Sequence, residues 1–126
     1  INLRLADDAI WHGGCLAIAE LVRYGLILPK ARECANDRSD LALDMLAAAV
    51  DIVVAALQFD IRRGNNSVGA HVRDAACYCC WSFARAYSPS DLVRHGKRLA
   101  DALLPVILFD REINCRRAAS AAFQEC

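Results

Sequence analysis

The sequence predicts an all-α fold in which pairs of helices stack in layers, and three observations carry that prediction. The stretch from Val68 to Tyr87, VGAHVRDAACYCCWSFARAY, is apolar nearly all round at helical pitch. Val72, Ala76, Cys79, Phe83 and Tyr87 share one face, while Ala75, Cys77, Cys80, Trp81 and Ala84 fill much of the other. A helix of that kind must be covered on several sides, so helices are expected before, beside and after it. Second, no segment alternates apolar and polar residues over a useful length. Third, a local pattern recurs at wide, nearly regular steps, as set out below.

The totals bound the answer. A chain of 126 residues fits one domain and buries roughly two-thirds of its unfolded surface. Its 56% apolar and 24% charged content excludes a disordered chain. With 15 basic and 15 acidic side chains, it lacks the basic excess that phosphate neutralisation needs, which argues against nucleic acid as partner. The short clusters Arg62–Arg63 and Arg116–Arg117 lie near acids and read as solvated or ion-paired. Seven cysteines are an odd number and sit inside apolar patterns; Cys15, Cys77, Cys79 and Cys80 read as small buried hydrophobes, which favours a reducing compartment. No signal peptide opens the chain, and Asp51 interrupts the longest apolar candidate for a membrane span, so no membrane insertion is expected. The missing initiator Met and the ending in mid-pattern suggest a segment of something longer.

The elements follow in order. Asp7 to Tyr24 carries Trp11, Cys15, Ile18 and Val22 on one face, with Asp7 or Asp8 as N-cap and Gly25 and Pro29 as stop signals. Gly13 and Gly14 inside it each cost ~1 kcal/mol against alanine, and close approach of a neighbouring helix is the expected reason. Pro29 to Ser39 reads as a polar connection with at most one helical turn. From an N-cap at Ser39, a second helix runs to about Phe59, with Leu43, Leu46, Val50, Val53 and Leu57 as its core stripe. Asp44, Asp51 and Gln58 form a wet stripe opposite, and the two carboxylates read as solubilising rather than as an acid/base pair. Asp60 to Ser67 (DIRRGNNS) reads as a loop, and its Asn65-Asn66-Ser67 sequon has meaning only in a secreted protein. After the central helix, Ser88-Pro89-Ser90-Asp91 marks a start, with Ser88 capping. That helix reaches about Phe109 and buries Leu92, Leu99, Leu103 and Val106. Arg94, Lys97, Arg98 and Asp101 stay wet, and Pro105 should bend the helix. The last helix starts after Asp110 and carries Ile113, Ala118, Ala119, Ala122 and Phe123.

HVRDAACYCCWSFA lies over NCRRAASAAFQE when Arg73 is matched to Arg116, and Trp11-His12-Gly13-Gly14-Cys15 falls on the same frame. The step from Val72 to Cys115 is 43 residues; that from Trp11 to Val72 is 61, longer by the Pro29–Ser39 insert and connection. A period near 43 made of two helices is that of HEAT and armadillo repeats, ~40–47 residues each. The expected architecture is therefore an α-solenoid of HEAT/armadillo-like helix pairs. Residues 7–25 form the second helix of a first repeat, 39–87 a second repeat and 89–126 a third. Asp60 and Asp110 each close a first helix; Arg73 and Arg116 each open the following one. That order resembles the Asp/Arg signature of HEAT repeats, which implies an inter-repeat ladder rather than ligand contacts for Asp60, Arg73, Asp110 and Arg116. A planar guanidinium fork suits such bridging.

WHGGCLAIAEL, SVGAHVRDAACYCCWSFARAY and FDREINCRRAASAAFQE closely resemble the tubulin-specific chaperone D (tubulin-folding cofactor D) family. The resemblance covers Trp11 to Leu28 and Leu57 to Glu125 in the same order, with Arg32–Leu46 poorly matched. It implies an interior piece of a cytosolic, cytoskeleton-associated α-solenoid that binds β-tubulin. With other tubulin cofactors and an Arf-like small GTPase, such a protein assembles and takes apart the αβ-tubulin dimer. It also implies GTPase activator activity toward tubulin, with the catalytic arginine belonging to another cofactor, so no catalytic residue is assigned. Which face meets tubulin is not implied. The alternative is a generic HEAT scaffold of the nuclear-transport or phosphatase type, which shares the fold without the strings.

Enzyme signatures are missing. RRGNNSVG lacks the Gly-Lys-Ser/Thr ending of a P-loop, and there is no HExxH, nucleophile elbow or GxGxxG. Cys77-x-x-Cys80 has redox spacing but lies within an apolar helix, where a structural role is expected. His12, His71 and His95 open separate helices and read as surface or capping residues without converging partners. A thiol-dependent or nucleic-acid-processing helical enzyme is the third reading. No cofactor, metal or catalytic group is expected, and the terminal helices should make the chain self-associate.

Overall fold

The structure, a computed structural model, describes residues 7–24, 37–63 and 66–126, with the side chains of 37–43, 63 and 66 left aside. Within them lie α1 (Asp8–Arg23), α2 (Asp37–Leu57), a short hairpin of β1 (Ile61–Arg63) and β2 (Asn66–Val68), α3 (Ala70–Ala86), α4 (Pro89–Phe109) and α5 (Ile113–Glu125). The helices form two ranks. The apolar helix α3 lies between α1 and α5, and α2 and α4 lie side by side behind that row. The fold is an all-α solenoid of stacked helices, and α3 is its centre.

Burial follows the helical stripes. Val72, Ala75, Ala76, Cys77, Cys79, Cys80 and Phe83 of α3 are buried, and Tyr87 is half-buried. Only one strip of α3 meets solvent, where Trp81 stacks on Tyr78 at 6.0 Å between ring centroids and Arg85 lies over the indole. Leu46, Val50, Val53 and Leu57 line the inner side of α2, while Asp44, Asp51 and Gln58 are exposed. Leu99, Leu103 and Val106 do the same for α4, with Leu92 half-buried. α4 is a single element across Pro105, whose ring is exposed. In α1, Cys15, Ala19 and Val22 are buried and Trp11 packs on Phe59.

Several expectations need correction. The hairpin replaces part of the loop expected over Asp60–Ser67, with Ile61 paired to Val68 and Arg62 to Ser67. Each strand has three residues, too few to show alternation. α2 begins at Asp37, so Ser39 lies inside the helix rather than capping it. Ser88 occupies the N-cap of α4, but its hydroxyl donates to the Asp91 carboxylate (2.8 Å) instead of accepting from a backbone amide. Asp7 does cap α1, accepting from the Ala9 amide at 3.0 Å. Gly13 and Gly14 are exposed, with open space where a β-carbon would stand, so no neighbouring helix explains them. Ile113 and Phe123 of α5 are exposed rather than buried, because Cys115, Ala119 and Ala122 take the inner side. The Gly25 and Pro29 signals, most of the Pro29–Ser39 connection, the Leu43 side chain and most of the sequon lie outside the described residues.

Candidate functional site: an arginine clamp between layers

Arg73 enters from the first turn of α3 and is a charged residue buried in the core, 8% exposed. Its Nη1 donates to the Phe59 carbonyl at 2.8 Å, at the end of the α2 segment. Its Nε and Nη2 donate to the two carboxylate oxygens of Asp110, at 2.6 and 3.2 Å, beyond the end of α4. One guanidinium thus fastens the turn behind its own helix to the turn of the next pair, and a planar fork is the group that fits both. The Asp110 side chain is only 3% exposed and also accepts the Glu112 amide at 2.9 Å, which anchors the start of α5. Burial works against its charge, yet the Arg73 and Glu112 hydrogen bonds hold its carboxyl below the ordinary carboxylate range. For Arg73 burial likewise opposes the charge, and Asp110 outweighs it, so its pKa is raised.

Local backbone makes room for this clamp. Gly69 precedes α3 with φ of +159°, and a β-carbon there would stand 2.5 Å from the Phe59 oxygen and 2.8 Å from Arg73 Nη1. Glycine is required by that close approach.

The other two expected residues lie at the edges. Asp60 is 3.8 Å from Arg73 Nη1 and meets Arg111 Nη2 more closely, 3.2 Å from each oxygen, half exposed to solvent. Arg116 repeats half of the Arg73 pattern: its Nη1 donates to the Asp110 carbonyl at 2.6 Å. So Arg73 and Asp110 are brought together, Asp60 stands beside them, and Arg116 touches only the turn backbone. Sequence reasoning missed Arg111, which directly follows Asp110, and the ion pair of Arg98 with Asp51 joining α4 to α2. Arg111 takes Asp60, the expected ladder acid, while Arg98 and Asp51 lie on stripes that the periodicity alone marks as wet. For Arg98 and Asp51, opposite charges on the outer stripes of successive helices were the available signal.

The remaining chemistry is quiet. Burial pushes the Cys77 thiol up to about 12 and also raises Cys80 well above the ordinary thiol range, which works against the thiolate that a redox Cys-x-x-Cys needs. Its hydrogen bond to Cys15 and burial both raise Cys79, whose Sγ lies 2.8 Å from the Cys15 carbonyl oxygen across the α1–α3 contact. Contrary to the expectation of isolated histidines, His12 and His71 meet edge to face at 5.2 Å, and His71 Nε2 lies 3.0 Å from Asp8 Oδ2. The α1–α3 packing brings them together from sequence positions far apart. Among the described residues no three His, Cys, Asp or Glu side chains are placed to hold a metal ion. None of the described helices is long and apolar enough to cross a membrane.

Stacked helix pairs whose turns are tied by a buried ion pair are the architecture of helical-repeat proteins of the armadillo type. The family model described as "Tubulin-specific chaperone D-like, ARM repeats" matches residues 3–126. The chain belongs to that family. It is 49% identical over 120 residues to Tubulin-specific chaperone D of Dictyostelium discoideum, covering 95% of this chain and 7% of that one. It is 34% identical over 125 residues to Tubulin-folding cofactor D of Schizosaccharomyces pombe, covering 99% of this chain and 10% of that one. The chain therefore spans a tenth or less of these curated relatives. No solved structure matches it.

Proposed function

We propose that this chain is a protein-binding segment of a tubulin-folding cofactor. In this reading it contributes rigid helical layers to a larger cytoplasmic, cytoskeleton-associated solenoid that binds β-tubulin. That solenoid helps assemble and disassemble the αβ-tubulin dimer together with other cofactors and an Arf-like small GTPase. Any stimulation of tubulin GTP hydrolysis would draw its catalytic arginine from a partner, since Arg73 is buried and already committed to Asp110. The observation that carries the reading is the likeness, over nearly the whole chain, to two proteins named for tubulin folding. Residues 7–25 are read as the second helix of a first repeat, 39–87 as a second repeat and 89–126 as a third, with Asp60, Arg73, Asp110 and Arg116 as the ladder that keeps them in register.

The test is capture of β-tubulin by the full-length protein carrying this sequence, compared with a version in which exposed Arg85, Arg94 and Arg117 are changed to Glu. A several-fold loss of capture is expected if this segment touches the client. Undiminished capture would reduce the segment to a spacer.

A further inference from the structure

Cysteines face both neighbours of α3, and one couple of them is in contact. Cys15 of α1 and Cys79 of α3 are both fully buried, 64 positions apart in the chain. Cys79 Sγ donates to the Cys15 carbonyl at 2.8 Å, and the two thiols are within hydrogen-bond reach of each other. Disulfide geometry is demanding, and two thiols this close on different helices can meet it with little backbone movement. Other thiols are placed otherwise: Cys115 Sγ turns to the Ala70 carbonyl at 3.2 Å, and Cys77 and Cys80 share one helix.

The contact is chemically uneven. The hydrogen bond from Cys79 lowers the Cys15 thiol from its ordinary value although burial opposes it, and the same bond raises Cys79. Cys15 is therefore the thiol that gives up its proton first. The glycines that packing does not explain lie directly before it. Gly13 and Gly14 are exposed, and a β-carbon on either would meet nothing. Each weakens its helix by ~1 kcal/mol against alanine, so the turn leading into Cys15 is a weak one.

We propose that Cys15 and Cys79 are a modification site for low-molecular-weight disulfides, gated by the Gly13–Gly14 turn and closing into a disulfide that staples α1 to α3. When that turn opens, Cys15 loses its proton to solvent and its thiolate attacks one sulfur of the small disulfide. The S–S bond of the small molecule breaks, and one half leaves as a thiolate and is protonated. A mixed disulfide remains on Cys15. Cys79 then loses its proton and attacks the Cys15 sulfur, expelling the second half as a thiol. Two protein thiols are oxidised, and one small disulfide is reduced to two thiols. This chemistry does not depend on tubulin binding.

The test incubates the full-length protein carrying this sequence with oxidised glutathione, unfolds it in an alkylating agent and maps its peptides by mass spectrometry. The peptides of Cys15 and Cys79 should be joined, with Cys77 and Cys80 recovered alkylated, and a thiol reductant should undo the link. Cys79→Ser should stop at a glutathione adduct on Cys15. Amide hydrogen exchange in α1 should slow at least tenfold once the link is made. Changing both Gly13 and Gly14 to Ala should slow linking about 5–30-fold, because the opening that admits the oxidant becomes rarer. Cys15 and Cys79 left free after prolonged incubation, or either one joined to a different cysteine, would overturn the proposal. Linking at an unchanged rate in the double-alanine protein would overturn it as well.

Discussion

Arg73 and Arg116 stand at the same place in two successive layers and do different work. Both send Nη1 to a backbone carbonyl of the turn behind them. Arg73 is buried and closes a two-pronged bond on an almost fully buried carboxylate of the next layer, whereas Arg116 has no next layer among the described residues. The same residue type in the same motif thus carries very different energies, because burial and the partner decide the outcome. Removing one member of a buried ion pair leaves a bare charge; trimming a half-exposed arginine releases one hydrogen bond.

The contrast can be broken at several points. Arg73→Ala strands Asp110 and the Phe59 carbonyl and should cost about 3–5 kcal/mol, while Arg116→Ala should cost about 0.5–1.5 kcal/mol; urea denaturation reads both. Phe83→Ala empties a fully buried ring position and should cost about 3–5 kcal/mol. Cys126→Ala, at the matching exposed position one step on, should leave the melting curve within about 0.5 kcal/mol. Gly69→Ala drives a methyl into the Phe59 oxygen and the Arg73 fork and should cost about 1–3 kcal/mol. Gly13→Ala and Gly14→Ala, with open space at both sites, should each add about 0.5–1 kcal/mol, seen as a higher melting temperature.

The clamp also sets a pH dependence. Because the folded pKa of Asp110 lies below its unfolded value, its contribution is fully present above the unfolded pKa of about 3.9. It is lost as pH falls through the depressed folded value. Stability measured between pH 5 and pH 2 should therefore fall less steeply in Asp110→Asn than in the parent chain. Identical acid profiles would contradict the assignment.

Much of this was legible in the residues. Asp7, Pro89 and the apolar stripes of Val72–Phe83 and Leu99–Val106 place three helices within a residue or two, because caps and periodicity are local signals. The Asp/Arg order pointed to Arg73 and Asp110, although nothing in it distinguished their burial from the exposure of Asp60. The hairpin's strands of three residues each are too short to carry the alternation that marks a strand. The histidine meeting, the open space at Gly13 and the Arg98–Asp51 pair depend on how helices far apart in sequence are placed. Local propensity does not contain that information.

The most direct measurement is a double-mutant cycle on Arg73→Ala and Asp110→Ala by urea denaturation. A clamp between layers predicts a coupling of about 2–3 kcal/mol, several times that of the Arg116→Ala and Asp110→Ala pair. Additive losses at Arg73 and Asp110 would mean that the layers are held by apolar packing alone.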